Sequence, residues 1–211
     1  MLVDPGAEPE KILREIETIE AQLKTQIKVK ALLHTHAHFD HIGATRIVKE
    51  FFQKRAADSR ADGFSAEHAP IPQIFLHQAD EQMYLKLKMQ ASMFGFTGDD
   101  PLPVDDYFQN EQELKFGSMK FTIIHTPGHS PGGVCMHLHE GTAEGISDTV
   151  FTGDTLFKGN VGRADLWGGD ETTLIRSIRT RLLTLDDDTI AWPGHGQSST
   201  IGAEKRTNPH L

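Results

Sequence analysis

With 211 residues, 37% of them hydrophobic and 24% charged, the chain has apolar material for one globular domain with a core of its own. A net charge of −9 leaves no basic face to hold a nucleic-acid backbone, and no apolar run approaches the roughly 18 residues that span a bilayer. Nothing at the amino terminus reads as a signal peptide. The single cysteine, Cys135, excludes an intrachain disulfide and suits a reducing, cytoplasmic compartment.

In chain order, Met1-Leu2-Val3 reads as the tail of a strand, cut by the turn Asp4-Pro5-Gly6. Ile12, Ile16, Ile19 and Leu23 recur at three- and four-residue spacing, which predicts a helix over 9–28. Lys28–Leu33 is a short apolar strand, and Ile42–Lys54 a helix with Ile47, Val48, Phe51 and Phe52 apolar. Residues 55–72, polar and small with two prolines near the end, read as a surface insertion within a single 1–211 domain. Ile74–Leu76 is a strand, Ala79–Met89 a helix, and 91–107 an irregular connection carrying Met93, Phe94 and Phe96. Strands follow at Leu114, at Met119–Ile124 after a turn at Gly117, at Val134–Leu138, at Val150–Phe157 and at Ile190–Trp192.

Twelve histidines are more than a core of this size needs, so their placement matters. Between the first apolar strand and the next helix, His36, His38, Asp40 and His41 offer three imidazoles and a carboxylate. Alternation along an extended chain puts His36, His38 and Asp40 on one side, with His41 in the opening turn of the helix. One metal rarely takes four ligands from so short a run, whereas two adjacent metals could share them if distant segments complete each shell. Three later strands each end in a sharp turn that holds such a residue: His129 in Thr126-Pro127-Gly128-His129, Asp154 after Gly153, and His195 in Pro193-Gly194-His195-Gly196. Nitrogen and carboxylate donors without a thiolate suit Zn²⁺, Fe²⁺ or Mn²⁺.

Taken together, His36-x-His38-x-Asp40-His41, His129, Asp154 and His195 resemble the metallo-β-lactamase superfamily. Val3-Asp4-Pro5-Gly6, Gly153-Asp154-Thr155-Leu156-Phe157, Gly162-Arg163-x-Asp165 and the ending Lys205-Arg206-x-Asn208-Pro209-His210-Leu211 resemble its glyoxalase II branch, in its short single-domain form. The resemblance implies a four-layer αββα sandwich, here lacking the first strands that precede the Val-Asp-Pro-Gly turn in the family. It places His36, His38 and His129 on one metal and Asp40, His41 and His195 on a second, with Asp154 bridging. It also implies two divalent ions, zinc first, and cleavage of a small-molecule thioester such as S-lactoylglutathione by a metal-bound hydroxide, with Asp40 orienting or relaying a proton. Asp4 would orient an imidazole, and Arg163 and Asp165 would brace the loop beside the site. The alternatives are a mononuclear-iron persulfide dioxygenase, using His36, His129 and Asp154, and a truncated, non-catalytic form. Oligomeric state is not encoded in any of these motifs. Among the other histidines, His34 should face the sheet or a polar neighbour, His125 could support the site, and His68, His77, His137, His139 and His210 read as surface or turn residues. Cys135, between Val134 and Met136, reads as a small buried hydrophobe.

Overall fold

The computed structural model describes residues 1–6, 8–61, 69–141, 145 and 147–211. They fall into two units: Met1–His34, His38–Phe75 and Gln82–Asp106 in the first, and Thr35–Ala37, Leu76–Glu81 and Tyr107–Leu211 in the second.

The first unit holds strands β1 (Leu2–Val3), β2 (Ala31–Leu33) and residues 73–75 of β3 (Gln73–His77), side by side in that order, and β4 (Asp106–Phe108) begins on its last residue. β1, β2 and β3 are parallel, with Leu32 opposite both Leu2 and Ile74. All of β2 is buried, which explains its unbroken apolar reading: a central parallel strand alternates little. Helix α1 (Pro9–Leu23) begins with Pro9, whose fixed φ suits a first helical position. It stops short of the expected residue 28 for an identifiable reason. Lys24 turns left-handed, and Glu20 Oε1 accepts the Ile27 N–H at 2.8 Å while the same carboxylate pairs with Arg55. Ile16 of α1 packs with Val29, Leu32, Ala44, Val48, Phe52 and Ile74 in the core of this unit.

The histidine motif continues into helix α2 (Phe39–Ile42), followed by α3 (Thr45–Ala61). The stretch 55–72 is therefore not a loop throughout. Ala56 is buried, and the Arg55 guanidinium lies 4.3 Å from the Phe51 ring centre while binding Glu20, so the helix has partners enough to run through Ala61. Residues 62–68 lie outside the described ones. The helix expected over 79–89 is a short turn at Gln78–Asp80, then α4 (Glu81–Tyr84) and α5 (Leu87–Met93), interrupted at Leu85 and Lys86.

The second unit holds β5 (Glu113–Phe116), β6 (Met119–His125), β7 (Val134–Leu138), β8 (Thr149–Gly153), β9 (Leu156–Phe157), β10 (Asn160–Val161), β11 (Ile190–Pro193) and β12 (Ser199–Thr200). Six of them form a sheet of order β12-β11-β8-β7-β6-β5, while β9 and β10 pair as a separate ribbon. β11 runs parallel to β8, so both strands deliver their carboxyl ends, Gly153 and Pro193, at the same level. The histidine and the carboxylate that follow those residues are thereby brought near each other. Helices α6 (Glu171–Ser177) and α7 (Ile201–Thr207) complete the unit. Asp170 caps α6 by accepting the Thr173 N–H at 2.6 Å, and the helix passes into a wider turn over Ile178–Leu182. Leu174, Ile178 and Leu182 pack there with Ile124, Cys135, Val150, Leu156, Ala191 and Ile201. Cys135 contacts Thr126 Oγ1 at 3.3 Å, and burial pushes its thiol up to about 11, so it is an inert core residue.

Candidate metal centre

In the first unit, the end of β1 sits beside the end of β2 because the Asp4 N–H donates to the Leu33 carbonyl at 2.9 Å. Asp4 has φ 46°, a left-handed conformation that Asp tolerates better than most residues. Its Oδ2 accepts a hydrogen bond from His41 Nδ1 at 2.9 Å. A carboxylate can only accept, so His41 Nδ1 carries the proton of this bond and Nε2 is the nitrogen turned to the other side. That Nε2 lies 3.8 Å from Asp40 Oδ2. Asp40 is in the first turn of α2 and not on an extended run, so helical geometry, and not strand alternation, sets it next to His41. His38 precedes the helix in an extended conformation and its carbonyl accepts the His41 N–H at 3.0 Å. His34 is buried, with Nε2 3.0 Å from Thr45 Oγ1, and burial lowers its pKa.

In the second unit, His36 Nδ1 lies 3.0 Å from Thr35 Oγ1, and His36 Nε2 faces His129 Nε2 at 3.2 Å. His129 Nδ1 donates to the Arg163 carbonyl at 2.7 Å, which turns its Nε2 toward His36. Asp154 lies 3.8 Å from His129 Nε2 through Oδ2 and 3.8 Å from His195 Nε2 through Oδ1. Two imidazole nitrogens facing one another across 3.2 Å need a proton or a cation between them. Asp154 adds a carboxylate oxygen beside them, so the group offers two imidazole nitrogens and an anionic oxygen, donor types that a divalent cation takes. The chemistry of this donor set therefore fits a divalent cation, and the Nδ1 partners are of the kind that orient metal-binding imidazoles. His36 and His129 are buried, whereas the His195 side chain is 55% exposed, the open side of the arrangement.

A residue not singled out from sequence organises this half. Asp80, fully buried, accepts the Ala37 N–H at 3.1 Å, the Ser130 hydroxyl at 2.8 Å and the Gly132 N–H at 2.5 Å. It thus ties the residue between His36 and His38 to the turn that carries His129. Burial raises its pKa against the lowering effect of those donors. The sequence signal was an acid just after an apolar strand, which reads equally well as helix-start chemistry. Gly162 is also constrained: a Cβ there would run into the Asp154 carbonyl and come 3.4 Å from His129 Nδ1. The Arg163 and Asp165 side chains pair with each other at 2.8 and 2.9 Å, both mostly exposed. It is the Arg163 backbone carbonyl that meets His129. His125 stacks on His77 at 4.1 Å and its Nε2 meets the Pro131 carbonyl, so it belongs to the flank of the turn. Within the first unit, Phe39 of the motif stacks on Phe94 at 5.1 Å and lies 5.6 Å from Phe96, while Phe94 and Phe96 stay more than half exposed.

A family model described as the metallo-beta-lactamase superfamily matches residues 1–195. The chain belongs to this superfamily. Its mixed α/β sheets and helices match solved metallo-β-lactamase folds, in agreement with the fold class expected from the motifs. The structure of TTHA1623 in a di-iron-bound form is 38% identical, with a TM-score of 0.78 over 99% of this chain and 87% of that one. Hydroxyacylglutathione hydrolase GloC of Haemophilus influenzae is 39% identical over all of this chain and 86% of its own length. The probable metallo-hydrolase YqgX of Bacillus subtilis is 33% identical over the same shares. ETHE1 from Myxococcus xanthus, at 23% identity and a TM-score of 0.65, shares the fold.

Proposed function

We propose that this metallo-β-lactamase superfamily chain is a binuclear metal-dependent thioesterase, acting in the cytoplasm as one catalytic domain on S-lactoylglutathione or a related acyl-thiol. The observation that carries the reading is the donor set, with Nδ1 of His41 held by Asp4, Nδ1 of His129 held by the Arg163 carbonyl, and each Nε2 within 3.8 Å of a carboxylate. The likeness to a hydroxyacylglutathione hydrolase along the whole chain supports the substrate class. His36, His38 and His129 would hold one ion, Asp40, His41 and His195 the other, with Asp154 shared; Zn²⁺ is preferred, with Fe²⁺ or Mn²⁺ also compatible with the donors. Two such ions supply Lewis acidity and a water whose pKa falls toward ~7.

The chain's own residues supply the rest. Asp4 and the Arg163 carbonyl fix the tautomers of His41 and His129, so neither imidazole has to turn during turnover. Asp40, with a side chain 39% exposed, would orient the attacking water and pass its proton to solvent. A thioester leaves as a thiolate, a good leaving group, so no strong general acid is required. Phe94 and Phe96, packed beside Phe39 of the motif, offer an apolar wall for the acyl portion.

The test is metal analysis of the purified chain together with a hydrolysis panel of acyl-glutathione thioesters. About two ions per chain and turnover abolished by His129→Ala are expected. A chain carrying two ions that leaves every acyl-glutathione untouched would overturn the reading. A single iron with oxygen uptake on glutathione persulfide would favour dioxygenation, which a likeness of fold alone does not.

A further inference from the structure

A second group of ligand-competent side chains lies within the second unit and shares no residue with the set described above. His137 is on β7 and His139 is two positions on, so their side chains leave the same face. The ladder continues past the strand end, because the His139 N–H donates to the Lys120 carbonyl at 3.1 Å. Asp148 immediately precedes β8, the neighbour of β7 in the sheet. The two imidazole rings are 4.4 Å apart, His137 Nε2 lies 2.9 Å from Asp148 Oδ2, and one donor atom from each of the three residues falls within 4.8 Å of the others.

We propose that His137, His139 and Asp148 form an additional metal site, taking one divalent transition ion such as Zn²⁺. Two imidazoles and a carboxylate are a borderline-hard donor set suited to Zn²⁺, Ni²⁺ or Cu²⁺. An ion 2.0–2.1 Å from each would set its donors about 3.4 Å apart in a tetrahedron, so modest side-chain rotation closes the triangle. The carboxylate is already anchored. The Glu140 N–H donates to Asp148 Oδ1 at 3.2 Å and the Thr189 hydroxyl to Oδ2 at 2.6 Å. Although burial works to raise the Asp148 pKa, the bonds from Thr189 and His137 outweigh it and hold the carboxyl below its ordinary value. Burial and the nearby His137 and Lys120 lower His139, against Asp148 and Glu113, so His139 presents a neutral imidazole at pH 7. Its Nε2 meets Thr122 Oγ1 at 2.8 Å, which steers Nδ1 toward the ligand role. Both histidines line a cavity of about 400 Å³ that also includes Glu111, Thr122 and Arg181, with room for waters to complete a shell. Binding through His137 Nε2 would take the place of the His137–Asp148 hydrogen bond, with the ring's one proton carried on Nδ1.

The experiment counts zinc in the 211-residue chain after saturation and removal of free ion by gel filtration. The double variant His137→Gln/His139→Gln, checked for fold by circular dichroism, is expected to hold about one zinc fewer per chain than wild type. The same loss should appear when the double variant is made in a His36→Ala/His129→Ala background. Should the double variant fail to fold, Asp148→Asn, which keeps both imidazoles, decides the matter by the same count. Equal zinc in wild type and the folded variants would reduce the cluster to a hydrogen-bonded ion pair and overturn the proposal. The readout is metal count and not hydrolysis, so it stands or falls separately from thioesterase activity.

Discussion

Asp80→Ala removes the acceptor shared by the Ala37 N–H, the Ser130 hydroxyl and the Gly132 N–H. Each buried donor left without a partner costs about 1–3 kcal/mol. The sum is offset in part, because burial already raises the Asp80 pKa and the variant no longer desolvates a carboxylate. A net loss of about 2–5 kcal/mol follows, a large fraction of the ~5–15 kcal/mol that holds a typical domain folded. Asp80→Asn keeps the shape and one acceptor oxygen but turns an NH₂ group toward a donor, so its loss should fall between wild type and Asp80→Ala. Urea unfolding of the metal-free chains measures both. Because Ala37 separates His36 from His38 and Ser130 follows His129, metal content should fall in parallel. An Asp80→Ala chain within about 0.5 kcal/mol of wild type, at unchanged metal content, would refute the view that this carboxylate holds the two ligand-bearing segments.

Asp4→Asn keeps a side chain tolerant of the left-handed backbone at position 4 but weakens the acceptor on His41. Metal affinity, read by competition with a chromophoric chelator, should drop about 10- to 100-fold. Gly162→Ala pushes a Cβ into the Asp154 carbonyl; a cost of about 1–3 kcal/mol in unfolding free energy and loss of metal are expected. His77, desolvated and stacked on His125, has its pKa lowered to about 4 from an ordinary 6.5. Between those values the unfolded chain binds more protons, so this contribution is complete above about pH 6.5 and is lost as pH falls toward 4. Allowing for its partial exposure, the loss is about 2 kcal/mol. Urea unfolding of metal-free wild type and His77→Phe at pH 7 and pH 4.5 isolates it, since the variant should lose less stability than wild type on acidification.

Much of the fold and the donor inventory was legible in the linear chain. Candidate donors at the ends of apolar strands, and glycine or proline after them, are local patterns: Gly153 before Asp154 and Pro193-Gly194 before His195 mark where strands must turn. The helix that starts at Glu171 was not read from the sequence, although Leu174, Ile178 and Leu182 recur at four-residue spacing, because its amino end follows a glycine- and aspartate-rich stretch that reads as loop; the helix Ile201–Thr207 and the strand Asp106–Phe108 went unread as well. Other features depend on partners far apart in sequence, to which local pattern is blind. Glu20 ends α1 by capturing Ile27 while holding Arg55, and Arg55 in turn prolongs α3. No period in the sequence carries that information.

The sequence by itself determined which candidate donors the chain carries and their order, because metal-ligating side chains are few and their turns have strong local chemistry. Only the tertiary structure decided how those donors are aimed. The partners on the far nitrogens, Asp4 for His41 and the Arg163 carbonyl for His129, set which nitrogen faces the other donors. Asp80 became visible only when three donors from two separated segments met at one buried carboxylate. A ligand's identity is a property of one residue; its tautomer, direction and anchorage are properties of the fold around it.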